Sequence, residues 1–266
     1  MATAQLNDIS LYYEEHGEGE PLLLVAGLSS DSQSWLPVIE PLSAHYRLIL
    51  PDNRMVGRTE PKTVETGIGV MADDVVTLMD ELGIEKAHIV GHSMGGAVSL
   101  DLAARYPERI EKLVILCSGP IRTARNISLV DTLIRQREEG VSDDTWFRSF
   151  FYWLFSPGFF EDEAAVSSAV EMAKTYPWRQ PIEAMRKQQQ AIAAYQAGDV
   201  IARIKAPTLG VAGGNDLMIP PDDMRVVLSG VADFRFEVIE NAAHSIHWEA
   251  PEAVVEHVLS FLGEQR

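Results

Sequence analysis

Ser93 stands inside Gly91-His92-Ser93-Met94-Gly95-Gly96. A strand-like run at residues 86–90 (KAHIV) leads into this stretch, and a helix-like run at residues 97–106 leads out of it. Gly-x-Ser-x-Gly between a strand and a helix is the nucleophile elbow, a sharp, strained turn that lifts the serine hydroxyl clear of the backbone. Small residues two positions to either side let strand and helix approach closely. The next amide, on Met94, opens the helix, where developing negative charge is stabilised. A packing turn could use the same short pattern, so the partners matter. A serine hydroxyl is a weak nucleophile and needs a base, usually histidine, and the histidine needs a carboxylate to fix its tautomer. Asp216 follows a strand-like run at residues 207–212, and His244 follows the last such run, at residues 234–239. Loops beyond strand C-termini are where an open parallel sheet binds its ligands.

The elements that must position these residues alternate along the chain. Residues 4–6 and 9–15 read as short strands about a turn at Asn7-Asp8, and 21–27 (PLLLVAG) as a buried strand. A short helix near 35–43 and a strand at 46–50 follow. Met71, Val75, Leu78, Met79 and Leu82 recur at helical spacing, with Gly83 where a C-terminal cap belongs. After the elbow helix come a strand at 110–117, the strands already named, and helices at 221–228 and 251–262. The order predicts an α/β fold with a mostly parallel sheet and helices on both faces. Residues 118–204 break the rhythm. They read as helices at 127–139, 143–154, 161–175 and 182–197, and nine of the fifteen residues at 146–160 are aromatic. Such an insertion is most simply a cap over the C-terminal edge of the sheet. The expected organisation is a core domain of residues 1–118 and 205–266 with a helical cap subdomain at 119–204.

Composition narrows the classes of function. The formal net charge of −17 argues against nucleic acid or an anionic membrane as partner. A single cysteine, Cys117, excludes an intrachain disulfide. The stretch MATAQLNDIS lacks the basic start and apolar core of a signal peptide, and no apolar run approaches a membrane span, so a cytoplasmic location is expected. His244-x-x-His247 has metal-like spacing but no third ligand at helpful spacing, so no metal is expected. Gly67-Ile-Gly69-Val-Met-Ala72 follows no strand and is set aside as a dinucleotide motif. Self-association as a homodimer stays open.

With these residues in view, the sequence resembles the α/β-hydrolases with a helical cap over nearly its whole length. The order Ser, Asp, His is that superfamily's. His244-Ser-Ile-His247-Trp-Glu249-Ala-Pro251-Glu252 is similar to its Gly-His-x-x-x-x-Glu-x-Pro block, with Ala243 in place of the glycine. Asp52-Asn-Arg54-Met-Val-Gly57-Arg58-Thr59 resembles its Asp-x-Arg-Gly-x-Gly-x-Ser loop, departing at Met55 and Thr59. The resemblance implies a sheet of about eight strands. It also implies Ser93 as nucleophile, His244 as base, Asp216 as acid and the Asp52 loop as a support. Where the superfamily usually has His-Gly, this chain has Ala26-Gly27-Leu28, so by position the amides of Leu28 and Met94 form the oxyanion hole.

The expected activity is that of a serine esterase or lactonase. It would cleave a small, largely apolar ester or lactone through an acyl-enzyme, without cofactor, as the cap and an N-terminal half resembling enol-lactonases suggest. Phe151, Trp153, Met218, Ile246 and His247 are the expected pocket residues. A carbon–carbon bond hydrolase for a vinylogous diketone and a cofactor-free perhydrolase share the triad. A ligand-binding receptor on the same scaffold is the rival from another class.

Overall fold

The computed structural model describes residues 2–119, 124–196 and 199–264. The strands are β1 (Ala2–Leu6), β2 (Ile9–His16), β3 (Pro21–Val25), β4 (Arg47–Pro51), β5 (Ala87–His92), β6 (Ile110–Leu116), β7 (Thr208–Gly213) and β8 (Phe234–Ile239). They form one eight-stranded sheet in the order β1-β2-β4-β3-β5-β6-β7-β8. β2 runs antiparallel to both β1 and β4, and the remaining pairings are parallel. The central strands are covered on both faces, which is why β3 reads as an unbroken apolar run and every residue of β5 is buried.

The helices are α1 (Leu36–Ser43), α2 (Ile68–Glu81), α3 (Met94–Arg105), α4 (Ala124–Glu138), α5 (Asp143–Leu154), α6 (Glu163–Thr175), α7 (Ile182–Ala194), α8 (Val200–Arg203), α9 (Pro221–Leu228), α10 (Ile246–Glu249) and α11 (Pro251–Gly263). Alternate residues of the sheet feed two cores. Leu22, Leu24 and Val90 pack with Val38 and Leu42 of α1 and Val254 and Val258 of α11. Leu23, Val25 and Ile89 pack with Met71 and Val75 of α2 and Val98 and Leu102 of α3. Among the described residues no helix is long and apolar enough to cross a membrane.

α3 is the helix that the elbow opens, and it is buried from Met94 to Ala104. Its approach to β3 depends on Gly95, where an added Cβ would lie 2.0 Å from the carbonyl oxygen of Val25. That neighbour is backbone and cannot rotate away. Gly95→Ala is therefore expected to lower stability by about 3 kcal/mol, the upper end for overpacking. A denaturant midpoint equal to wild type would contradict so close a contact.

Between β6 and β7 the described chain is helical, as the sequence predicts. α5 has the expected bounds and is capped by Ser142, whose hydroxyl accepts from the Thr145 amide. α6 starts at Glu163 and not at 161, because Pro157–Glu161 is a 3-10 turn and Asp162 takes the capping position. α7 stops at Ala194, short of the expected 197; Ala197, like residues 120–123, lies outside the described residues. These helices carry their own small cores. One joins Val130, Leu133, Ile134, Trp146 and Met185, and the other joins Phe151, Val166 and Val170.

Candidate active site

The elbow geometry is present in full. Ser93, between β5 and α3, has φ 52° and ψ −121°, a conformation few non-glycine residues adopt. Its amide donates to the Leu116 carbonyl at 3.1 Å, and its own carbonyl accepts from the Gly96 amide at 2.9 Å and from the Ser118 hydroxyl. Backbone bonds to β6 and α3 thus fix a strained residue and leave its side chain free to point away.

Asp216 and His244 come from the loops after β7 and β8, and the structure brings both to Ser93. His244 Nε2 lies 2.9 Å from Ser93 Oγ, and His244 Nδ1 lies 2.8 Å from Asp216 Oδ2. Asp216 Oδ1 accepts from the amides of Met218 and Ile219 at 2.7 and 2.9 Å. A carboxylate accepting two amides is held as an acceptor, so Nδ1 of His244 carries the proton it donates to Oδ2. Nε2 is then a bare lone pair facing the serine hydroxyl. This is the protonation pattern a general base needs.

The backbone of the His244 loop is pinned at successive groups. The Ala243 amide donates to Glu249 Oε2 at 2.8 Å, and the Ser245 amide donates to the Leu154 carbonyl at 2.9 Å. Glu249 Oε1 also accepts from the Ser156 amide at 2.8 Å, so one carboxylate joins this loop to the end of α5. The loop after β3 is supported in turn. Asn53 Nδ2 donates to the Ala26 carbonyl at 2.9 Å, and Asp52 Oδ1 accepts from the Ser32 amide at 2.8 Å. The resemblance implies that the Asp52 segment supports the elbow; these bonds support the loop after β3 instead.

A cavity of about 400 Å³ opens on Ser93 and His244. Leu28, Phe150, Phe151, Leu154, Phe155 and Met218 form much of its apolar wall. A smaller hollow of about 100 Å³ also borders Ser93, lined by Met94, Ala97, Ile127, Gln189 and Ile192. Leu28 borders both spaces, and Met94 borders the smaller one. Another cleft, of about 730 Å³, is lined by Glu20, Lys86, Lys112 and Lys205 and does not reach Ser93.

Of the expected pocket residues, Phe151, Met218 and His247 line the main cavity. Two expectations are corrected. Trp153 faces a separate hollow with Arg125, Leu129 and Ser149, because the cavity-facing stripe of α5 runs through Phe150, Phe151 and Leu154. Ile246 is fully buried and packs under the sheet with Val254 and Val258, as the first residue of a short helix that the sequence reading lacked. Leu36, Met172, Tyr176 and Trp248 also line the wall, beyond the expected residues. Trp248 lay within the recognised histidine block; the others reach the cavity from distant elements with no shared local pattern.

Ligand atoms of Cys117, Asp216 and His244 lie within 4.8 Å of one another. In this cluster Asp216 and His244 already bond each other, and burial pushes the Cys117 thiol well above its ordinary range. Its donors thus serve to orient the histidine. Burial and the neighbouring His92 and His244 hold His247 well below the usual imidazole range, so it is a neutral ring at the cavity.

The comparisons agree with this geometry. Residues 20–251 match the family model described as alpha/beta hydrolase fold. A protein of Azorhizobium caulinodans assigned as the carbamate hydrolase RutD is 29% identical, over 99% of each chain. The 2-hydroxy-6-oxo-6-phenylhexa-2,4-dienoate hydrolase of Comamonas testosteroni is 26% identical, over 100% of this chain and 95% of that one. The crystal structure of the enol-lactonase of Burkholderia xenovorans superposes with a TM-score of 0.88 at 25% identity, covering 99% of this chain and 100% of that one. An elbow serine hydrogen-bonded to a histidine that is itself bonded to an aspartate, on an eight-stranded sheet and together with this match, makes the chain a hydrolase that belongs to the alpha/beta hydrolase fold family.

Proposed function

We propose that this hydrolase cleaves a small neutral carboxylic ester or lactone through an acyl-enzyme on Ser93. The observation that carries the reading is the Ser93–His244–Asp216 chain opening into a largely apolar cavity. In the first half-reaction Ser93 Oγ attacks the carbonyl carbon while His244 Nε2 takes its proton. The amides of Leu28 and Met94 hold the oxyanion, and His244 then gives its proton to the departing alkoxide. In the second, His244 takes a proton from water, whose oxygen attacks the acyl carbon, and Ser93 leaves with that proton restored. The helices of residues 119–204 act as the cap that keeps bulk water from this exchange.

The unequal hollows that meet at Ser93 favour a substrate with one bulky apolar side and one short side. Charge bears on the choice of bond. Among the described residues, the charged side chain on the main wall is the carboxylate of Asp31, which would repel an anion. That weighs against the dienoate carboxylates named for the Comamonas relative and against a free carbamate, and for a neutral ester or lactone.

The test is a matched panel of p-nitrophenyl acetate, butyrate and a bulky aryl ester, with p-nitrophenyl hemisuccinate as the anionic member. Neutral esters should turn over many times, and the hemisuccinate should react far more slowly. A preference for the anionic ester, or a single stalled acylation, would overturn the reading. Trp248 is 40% exposed at the cavity wall, and Trp248→Ala should raise KM for the bulky ester about 10-fold while sparing acetate. Trp153→Ala, in the separate hollow, should leave the ratio unchanged.

A further inference from the structure

His92 is the last residue of β5 and the neighbour of the nucleophile, and the mechanism above gives it no task. Its ring is nevertheless wedged into the site. His92 Nε2 lies 2.8 Å from the backbone carbonyl oxygen of His244. A carbonyl only accepts, so Nε2 carries the proton and, in a neutral ring, Nδ1 does not. Nδ1 faces the other half of the site: a Cβ added at Gly27 would lie 3.3 Å from it and 3.1 Å from the Ser93 Cβ. Gly27 precedes Leu28, whose amide is assigned to the oxyanion. The ring also packs against those of His244 at 5.1 Å and His247 at 4.5 Å, with Trp35 edge-on at 6.4 Å.

We propose that His92 is a positioning residue for the reaction, tying the backbone of the base to the strand that bears the nucleophile while its other edge seats the oxyanion loop. The last residue of β5 and the residue that follows it then measure the distance to the base. His92 holds the His244 carbonyl, and Ser93 meets the His244 side chain at 2.9 Å. The role depends on a ring that stays neutral when His244 becomes cationic beside it. Burial, reinforced by the charge His244 acquires, pushes the His92 pKa down to about 3, with Asp216 and the neutral His247 the other titratable groups near it. The proposal rests on His244 being the base of the proposed function.

His92→Leu removes the donor, and His92→Gln keeps an N–H that can reach the carbonyl. A loosened base is expected to cost about 100-fold in kcat in the leucine variant, the scale of a ~1 Å misplacement. KM for p-nitrophenyl butyrate should stay within about twofold, because Phe150, Phe151, Leu154, Phe155 and Met218, which form much of the apolar wall, are unchanged. The glutamine variant should recover most of the loss. Wild-type kcat in a folded His92→Leu protein, or a glutamine variant no better than leucine, would overturn the proposal. Histidine-selective 15N NMR of the unaltered protein gives a second readout that needs no turnover. His92 should be neutral with its proton on Nε2 across about pH 5 to 8. Titration in that window, or a proton on Nδ1, would overturn the role even if both variants failed to fold. Absence of ester turnover in the wild type would overturn the proposed function instead, and the NMR result would still decide His92.

Discussion

Ser93→Ala is expected to fold as the wild type does and to lose hydrolysis by about 10⁴- to 10⁶-fold. The fold should survive because Ser93 holds the strained turn through its own backbone groups. The Ser93 amide bonds the Leu116 carbonyl, and the Ser93 carbonyl accepts from Gly96 and Ser118. The side chain contributes one hydrogen bond, to His244 Nε2, and Nε2 already faces a cavity that admits water. The chemistry should fail because no other described nucleophile takes its place. Cys117 is buried, and burial keeps its thiol protonated, so it cannot supply a thiolate. The measurement is kcat/KM for p-nitrophenyl butyrate beside a melting curve. An undiminished rate in pure, folded Ser93→Ala protein would reject the mechanism.

Asp216→Asn is expected to keep the shape and lower kcat by up to about 10⁴-fold, the magnitude for the matching change in another triad. The structure shows which way the new amide must turn. Oδ1 receives two backbone amides, from Met218 and Ile219, and only an oxygen can accept them. The asparagine therefore keeps its oxygen there and presents its NH₂ to His244 Nδ1. That nitrogen must then become the acceptor, the proton moves to Nε2, and the lone pair that should receive the serine proton is lost. Near-wild-type activity would mean that another carboxylate orients His244. Asp222 and Asp223 are closest in sequence, but both are exposed on α9, so the geometry predicts no rescue from them.

Much of this architecture is legible in the sequence because the relevant signals are local. The unbroken apolar run of β3 and the Gly-x-Ser-x-Gly turn each follow from a few adjacent residues. The placement of Asp216 and His244 follows from topology, since parallel strands deliver their C-terminal loops to one edge. The pocket wall is a different kind of fact. Leu36, Met172 and Trp248 meet there from three distant segments, so no spacing rule connects them. Trp153 and Phe151 are two residues apart on one helix, yet they face different hollows, because the rotation of α5 is set by what it packs against. His92 looks like a packing histidine until its partner, 152 residues away, is seen.

The central claim is that Ser93, activated by His244, is the group that attacks the substrate. Covalent capture with an alkyl fluorophosphonate, followed by intact-mass and peptide-mass measurement, tests it without assuming a substrate. The account predicts one adduct per chain, located on Ser93. It also predicts none in Ser93→Ala and a much slower adduct in His244→Ala, where no base draws off the serine proton. Labelling at another residue, labelling that persists in Ser93→Ala, or an equal rate in His244→Ala would contradict it.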